Sequence, residues 1–516
     1  MLTSRGPEQG VVSTFRLIRN ISANWIGLLT VLLVGIFLTP FILHHLGPVA
    51  FGLWVLITTV TGYYGLLDFG IRNAVLRYAA RFRLGEQSEV AEIISTAFFT
   101  YAMIGGLILL LAIFGAWRLE SLLRVPAAWV QPGKMLLMVV GIGTALSFPL
   151  SVFGAVLEGL QLFTWIAAVQ SAGALIRAGL IVAALQRGYG LLAVGVITVA
   201  INLITSLAFL CVATVACPHM RLHWRYVRRR TLHMLGTFGV ITFWIGIAQK
   251  LRFEADTLVI GAFLSVEAIA VFAIASKLVS YATDLVQNVA QVFTPVFSYL
   301  DATGDRREMR RALVLGNRYS SFIAFSMAAV LLVMGRTIIH AWVGAEYASS
   351  YAILVTLTIP TALYLAQAAS TKVLYGMARH HALAWVLLAE GLANVTLSIL
   401  LLRRYGILGV ALGTAIPLLV TSVVFLPVHV CRLVDLRLSE YLRDAHLYPV
   451  MLSATLGACL WLVGRWVHSG SYVGVVLQLS LGTALCGLGL IAFRYVMASA
   501  GRLQPVDDAE IVQRTA

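Results

Sequence analysis

The first long apolar run of the chain reads ISANWIGLLTVLLVGIFLTPFIL, residues 21–43, and it contains no charged residue. A helix needs about 20 apolar residues to cross the hydrocarbon core of a bilayer. The run meets that length and is too long for the apolar part of a cleavable signal peptide. We therefore expect it to remain in the protein as a membrane span.

The composition extends this prediction to the whole chain of 516 residues. Hydrophobic residues make up 60% of it and charged residues 11%, whereas a soluble chain carries roughly 25% charged residues. So few charges cannot cover several soluble domains, and so apolar a chain is not disordered. The five cysteines form no CxxC pair and no Cys/His cluster, so neither a metal site nor a disulfide framework is predicted.

Apolar segments of spanning length recur along the rest of the sequence. The fourteen predicted spans, numbered in chain order, are 21–43, 49–68, 91–116, 135–157, 163–186, 190–216, 234–262, 268–299, 313–335, 350–375, 382–402, 407–431, 446–467 and 472–497. Sheet is not expected, because a membrane barrel needs alternating strands of about ten residues. We predict an all-α polytopic membrane protein with 14 transmembrane helices.

Basic residues in the connections predict the orientation. With the N-terminus inside, the inner segments hold 23 of the 37 Lys and Arg residues and the outer segments hold 8. By the positive-inside rule both termini are expected in the cytoplasm. The net charge of +15 is then mainly a topology signal, and no nucleic-acid partner is expected.

Short motifs recur at a nearly constant offset and indicate an internal repeat. VLEG at 156–159 recurs as VLYG at 373–376, and YGL at 189–191 recurs as YGI at 405–407. A six-span unit returns the chain to the same side, so the two copies are expected to be parallel, as in many secondary transporters. The predicted parts are an N-lobe of spans 1–6 (1–217), a cytoplasmic basic linker (218–233), a C-lobe of spans 7–12 (234–432), and spans 13 and 14 with a cytoplasmic tail (433–516).

Span 8 carries a polar stripe. Its members, spaced by four, three, four and three residues, are Lys277, Tyr281, Asp284, Asn288 and Gln291. This spacing places all five on one helix face. A polar stripe in a membrane helix favours a water-filled cavity over lipid, with contact to another helix as the alternative.

Span 7 carries four charged residues close together. Lys250 and Glu254 are four residues apart, as are Arg252 and Asp256, so each pair can form along one helix face. The two pairs lie on nearly opposite faces and cannot both line a narrow cavity unless the helix bends. The alternative is that both pairs only neutralise each other.

Other polar residues in or beside the spans are single. They include Asn24 on span 1, Tyr63 and Tyr64 on span 2, Arg72 and Arg77 after it, and Glu390 on span 11. A hydrogen bond between helices explains such residues as well as a ligand does. No GxxxxGK[ST], HExxH or GxSxG motif is present, so an enzyme is not predicted, and neither is a bound cofactor.

Four stretches carry a resemblance to a known family. They are LGPVAFGLW at 46–54, YGLLDFGIRNA at 64–74, DTLVIGAFL at 256–264 and FTPVFS at 293–298. With the span count and the repeat, the chain resembles the bacterial O-antigen and exopolysaccharide flippases. These form the polysaccharide transporter family of the multidrug/oligosaccharidyl-lipid/polysaccharide exporter superfamily. One departure follows Leu264, where the family usually has Val-Gly-x-Tyr and this chain has IAVF at 269–272.

The resemblance implies a bacterial inner-membrane protein that moves an undecaprenyl-pyrophosphate-linked oligosaccharide to the periplasmic leaflet by alternating access. It implies basic residues for the pyrophosphate, hydrogen-bonding and aromatic residues for the sugars, and acids that couple transport to H⁺ or Na⁺. The candidates for the pyrophosphate are Arg72, Arg77, Lys250, Arg252 and Lys277. Those for the sugars are Asn24, Tyr63, Tyr64, Tyr281, Asn288 and Gln291. Those for ion coupling are Asp256, Asp284 and Glu390.

Three alternatives stay open. A peptidoglycan-precursor (lipid II) flippase has a similar cargo, and an ion-coupled multidrug antiporter shares the superfamily. A non-transporting membrane scaffold would not need the stripe on span 8. Expected partners are the lipid-linked oligosaccharide and membrane lipids, with glycosyltransferases or a polysaccharide polymerase as further candidates.

Overall fold

The structure of the chain is a computed structural model that describes residues 14–80, 87–217, 222–377, 379, 381–467 and 471–499. Helices make up nearly all of these ranges, and none of the described residues forms a strand. Because the helices are long and apolar, the prediction of an all-α polytopic membrane protein is confirmed.

The chain packs as two compact units. Unit 1 comprises the residues up to Ile274 together with His381–Pro417. Its helices are α1 (Thr14–Gly62), α2 (Ile71–Ala79), α3 (Gln87–Leu122), α4 (Ala127–Gly159), α5 (Phe163–Gln186), α6 (Leu191–Ala216), α7 (Arg229–Phe253), α8 (Ala255–Phe263), the start of α9 (Val266–Gln291), α14 (His381–Tyr405) and most of α15 (Ile407–Val420).

Unit 2 comprises Ala275–His380 and the residues from Leu418 onward. Besides the rest of α9, its helices are α10 (Phe293–Thr303), α11 (Arg306–Val343), α12 (Ser350–Leu365), α13 (Ala368–Gly376), α16 (Leu426–Leu433), α17 (Leu438–Leu442), α18 (Tyr448–Gly464) and α19 (Tyr472–Ser499). Two π-helical turns, Thr421–Phe425 and Arg443–Leu447, join neighbouring helices without a loop. The lobes expected from the sequence repeat divide the chain differently from these units, and the repeat remains a prediction.

Helices cover each of the fourteen predicted segments, but fewer than fourteen of the described helices are by themselves long and apolar enough to count as membrane spans. Eleven helices in the described ranges are long and apolar enough to cross a membrane, and the pair α12 and α13, bent by 44°, raises this to twelve. One of the eleven, Trp25–Asp68, includes most of the predicted segment 21–43 and all of the segment 49–68. The total of fourteen spans remains a prediction.

Glycines with positive φ mark two of the predicted connections. Gly47 interrupts α1 with φ 77°, next to Pro48, and Gly406 has φ 58° where α14 gives way to α15. A residue with a Cβ rarely adopts these angles. The chain can therefore change direction there with a loop of one or two residues.

Candidate functional site

The five residues of the predicted stripe lie on one face of α9, in unit 2. We call this set the polar face of α9. Lys277, Asp284 and Gln291 are exposed, and Tyr281 and Asn288 are half-buried. The opposite side of the helix is apolar and buried, with Val279, Ala282, Val286 and Ala290. The helix is continuous through this region, so residues spaced by three and four in the sequence lie on one face, as predicted.

Contacts along the polar face hold its side chains in place. The Lys277 ammonium lies 5.6 Å from the centroid of the Tyr281 ring, within the range of a cation–π interaction. One turn further on, the Asn288 amide donates to the carbonyl of Asp284 at 2.8 Å. The face thus presents a cation, a phenol, a carboxylate and two amides in a row.

In unit 1, a break in the helix separates α7 from α8. α7 ends at Phe253 and α8 begins at Ala255, with Glu254 between them at φ −120°. The side-chain amide of Asn394, on α14, donates to the carbonyls of Leu251 and Arg252 at 3.2 and 2.9 Å. Two carbonyls at the end of α7 are thereby satisfied by a side chain from another helix.

The break changes how the charges of span 7 pair. Sequence spacing suggested Arg252 with Asp256 along one helix, whereas the structure pairs Arg252 with Glu390 of α14. The guanidinium Nε lies 2.5 Å from the carboxylate, and both side chains are 2% exposed. Next to Glu390, a Cβ on Gly391 would lie 2.8 Å from that of Leu251, so glycine permits this close approach of α14 to α7. Arg252 is therefore an interior residue of unit 1.

Asp256 lies at the start of α8 and is 3% exposed. The hydroxyl of Thr414, on α15, donates to its Oδ2 at 2.6 Å and lies 3.3 Å from Asn394 Oδ1. Oδ1 of Asp256 accepts no hydrogen bond within the described part of the chain. We call Arg252, Asp256, Glu390, Asn394 and Thr414 the buried cluster of unit 1.

Lys250 and Glu254 form the pair predicted from their spacing, at 2.5 Å, with side chains 24% and 37% exposed. The Tyr63 hydroxyl donates to the Lys250 carbonyl at 3.3 Å, and its ring centroid lies 5.8 Å from the ammonium. Lys250 and Tyr63 therefore form one half-exposed group. Tyr64, next in sequence, is buried.

Arg72, on α2, forms an ion pair with Glu158 of α4 at 2.5 Å, and both side chains are partly exposed. The backbone N–H of Arg72 donates to Asp68 at 3.1 Å, and the hydroxyl of Tyr101 donates to the same carboxylate. Arg77, further along α2, is exposed. The side chain of Asn24 lies outside the described part of the chain.

The candidates thus fall into separate groups. The structure brings together three of the buried residues named from the sequence, Arg252, Asp256 and Glu390, and it holds Lys277 and Asp284 on the polar face of α9. Sequence reasoning missed Thr414, because a threonine in an apolar segment carries no signal of its partner. Among the described residues, no group of three or more His, Cys, Asp or Glu side chains is arranged to hold a metal ion.

Comparison with known proteins identifies a family that matches this chain. Residues 45–352 match the family described as polysaccharide biosynthesis protein. A relative in Bacillus subtilis (strain 168), the uncharacterized membrane protein EpsK, is 22% identical over 433 residues, which are 82% of this chain and 85% of EpsK.

Solved structures share the fold at low sequence identity. The chain is similar to the lipid II flippase MurJ in an inward closed conformation, with a TM-score of 0.72 and 14% identity over 94% of this chain and 100% of that one. It is also similar to an inward-facing multidrug resistance MATE family transporter, with a TM-score of 0.61 and 14% identity over 82% of this chain and 98% of that one. A MOP superfamily transporter from Pyrococcus furiosus gives a TM-score of 0.60 at 15% identity, over 83% of this chain and 96% of that one.

Proposed function

The chain belongs to the family of polysaccharide biosynthesis proteins, and on that premise we propose that it is a lipid-linked oligosaccharide flippase. It moves an undecaprenyl-pyrophosphate-linked oligosaccharide from the cytoplasmic to the periplasmic leaflet of a bacterial inner membrane by alternating access, and both its termini are cytoplasmic. The observation that carries this proposal is the polar face of α9.

A membrane helix with an exposed polar face needs water or a polar ligand beside it, since each ionised group costs at least about 2.5–3.5 kcal/mol in lipid. Lys277 and Asp284 are both exposed on α9. A membrane scaffold has no need of such a face, whereas a transporter of a large hydrophilic cargo does. The same fold in a lipid II flippase supports a lipid-linked cargo for this chain.

The chemistry of the polar face suits the two parts of that cargo. A pyrophosphate that leaves headgroup water needs a compensating cation, and Lys277 supplies one beside the Tyr281 ring. Asn288 and Gln291 offer amides to sugar hydroxyls. Arg72 and Arg77 remain candidates for the first contact with the pyrophosphate.

The buried cluster of unit 1 suits a different task. Asp256 holds one carboxylate oxygen against Thr414 and keeps the other free of hydrogen bonds within the described residues. A buried carboxylate in that state gains from a proton or a cation. Glu390 is already neutralised by Arg252 at 2.5 Å, and Asp284 is exposed. We therefore propose Asp256 as the carboxylate that binds the coupling ion, H⁺ or Na⁺.

Deletion of the gene tests the proposed cargo. A flippase of lipid-linked oligosaccharide predicts loss of surface polysaccharide and accumulation of lipid-linked repeat units on the cytoplasmic side. Accumulated peptidoglycan precursor would instead assign lipid II as the cargo. New drug sensitivity with normal polysaccharide would overturn the proposal in favour of an antiporter.

Substitution Asp256→Asn tests the coupling role, with Asp284→Asn as the matched control. In proteoliposomes, transport by the wild type should depend on an imposed H⁺ or Na⁺ gradient, and the ion that drives it is the coupling ion. Asp256→Asn should abolish this dependence, and Asp284→Asn should retain it. Retained gradient dependence in Asp256→Asn would exclude Asp256 as the coupling residue.

A further inference from the structure

Unit 2 contains a cavity of about 700 Å³ that is separate from the polar face of α9. It lies where α11, α18 and the start of α19 converge, beside the short 3-10 helix Ala345–Tyr347. Its residues are Val333, Arg336, Thr337, His340, Ala345, Ala348, Trp461, Gly464, Arg465, Val467 and Gln478. We call it the Arg336–Arg465 cavity.

The polar groups of this cavity are basic or neutral. Arg336, His340 and Arg465 line it together with Thr337 and Gln478, and no residue of the lining carries a carboxylate. Among the described residues neither arginine forms an ion pair. The carboxylate of the nearby Glu346 lies against Gly344, with Oε2 2.5 Å from the position that a Cβ on Gly344 would take. Two guanidinium groups therefore share a cavity without a protein anion.

One wall of the cavity positions a guanidinium. Arg465 lies over the ring of Trp461, with its Cζ 4.0 Å from the centroid. Stacking of this kind fixes the plane of the guanidinium and leaves its N–H groups free to bind an anion at the edge. The buried Gln478 also lines the cavity; its side-chain amide donates to the Leu460 carbonyl at 3.0 Å and packs against Gly464.

The aromatic residues around the cavity are typical of a membrane–water interface. Trp461 is 51% exposed and Trp466 is 87% exposed. The hydroxyl of Tyr472 donates to the Trp342 carbonyl at 3.5 Å. Exposed Trp and Tyr side chains at helix ends mark the level of the lipid headgroups. The positive-inside count predicts this interface to be the outer one.

From this chemistry we propose that the Arg336–Arg465 cavity binds the phosphate of a lipid headgroup. Arginine pairs with phosphate through two parallel N–H bonds, and the volume suits a small ligand. The phosphate can come from an anionic phospholipid of the surrounding leaflet or from a polyprenyl pyrophosphate. The cavity is a second anion site, independent of the transport role proposed for Lys277.

The test uses the full-length protein in nanodiscs of phosphatidylcholine with rising fractions of phosphatidylglycerol. The double variant Arg336→Gln/Arg465→Gln is compared with Arg124→Gln/Arg187→Gln, which removes the same charge from two exposed arginines of unit 1. The readout is the lipid fraction that gives half of the rise in Tm. A parallel titration adds undecaprenyl pyrophosphate in place of phosphatidylglycerol.

The proposal predicts that the double variant needs about 25-fold more lipid, from about fivefold for each arginine near a headgroup, while the control matches the wild type. A loss confined to phosphatidylglycerol assigns the site to a phospholipid, and a loss confined to undecaprenyl pyrophosphate assigns it to the lipid carrier. An unchanged response of the double variant to both lipids overturns the proposal. So does an equal loss in the control pair.

Because both arginines are exposed, the variants leave the helix packing intact. Trp461→Leu provides a second variant with a smaller expected loss.

Discussion

The buried cluster of unit 1 and the polar face of α9 each contain a cation, a carboxylate and an amide, but their charged side chains have opposite environments. In the cluster, Arg252 and Glu390 are both 2% exposed and lie 2.5 Å apart. On α9, Lys277 and Asp284 are exposed on a helix whose other side is apolar. We infer that the enclosed pair of Arg252 and Glu390 contributes to the fold, whereas the exposed Lys277 is accessible to the proposed cargo.

The largest effect on stability is expected from Arg252→Ala, which leaves Glu390 as a buried carboxylate without its partner. Breaking a buried pair on one side costs about 3–5 kcal/mol. Thermal unfolding in detergent should show the loss. The double substitution Arg252→Met with Glu390→Leu should recover most of it, because it removes both charges. A double variant as unstable as Arg252→Ala would show that the loss of stability does not come from the unpaired Glu390 carboxylate.

Gly391→Ala should have a smaller effect on the same cluster. The added methyl group would lie 2.8 Å from the Leu251 Cβ and 3.1 Å from the Ala248 carbonyl, so α14 must move away from α7. Overpacking of this kind costs about 1–3 kcal/mol. Gly106→Ala on α3 is the control, since no atom lies within 4 Å of its Cβ position. Equal unfolding temperatures for the two variants would argue against close packing at Gly391.

Lys250→Ala should lower stability by at most about 1 kcal/mol. Its pair with Glu254 is partly exposed, at 24% and 37%, and such pairs contribute little. Chemical or thermal unfolding of Lys250→Ala, measured alongside Arg252→Ala, compares the partly exposed pair of Lys250 and Glu254 with the enclosed pair of Arg252 and Glu390. A loss as large as that of Arg252→Ala would show that half-exposed and enclosed pairs are equivalent here.

Lys277→Ala should change stability least, within about 0.5 kcal/mol, because its side chain is exposed. The proposed role of Lys277 in cargo binding predicts an effect on transport instead. Lys134→Ala is the control. Lys134 also carries a partly exposed charge, which pairs with the exposed Glu120 at 2.5 Å, and it lies far in sequence from α9. Unfolding of both variants should match the wild type; marked destabilisation by Lys277→Ala would place Lys277 among the residues that hold the fold.

Much of this fold follows from the sequence. The length and hydropathy of the segments predict an all-α membrane protein, since a bilayer requires helices of that length. The stripe on α9 also follows, because the helix stays regular from Lys277 to Gln291. Local spacing likewise predicts the pair of Lys250 and Glu254.

Partners distant in sequence do not follow from local spacing. The pair of Arg252 and Glu390 joins helices more than a hundred residues apart, and it depends on the break at Glu254. No proline or glycine marks that break, and Asn394 satisfies the carbonyls there from another helix. Thr414 was missed for the same reason. Tertiary packing decides these contacts, and a single sequence does not record it.

The most direct test of the account measures flipping of a lipid-linked oligosaccharide in proteoliposomes that contain the purified protein. Wild type and Lys134→Ala should flip the lipid at equal rates. Lys277→Ala should flip it about tenfold more slowly, which corresponds to the loss of about 1.5 kcal/mol from one charge-assisted contact. A Lys277→Ala protein that flips the lipid at the wild-type rate would contradict the assignment of the polar face of α9 to the cargo.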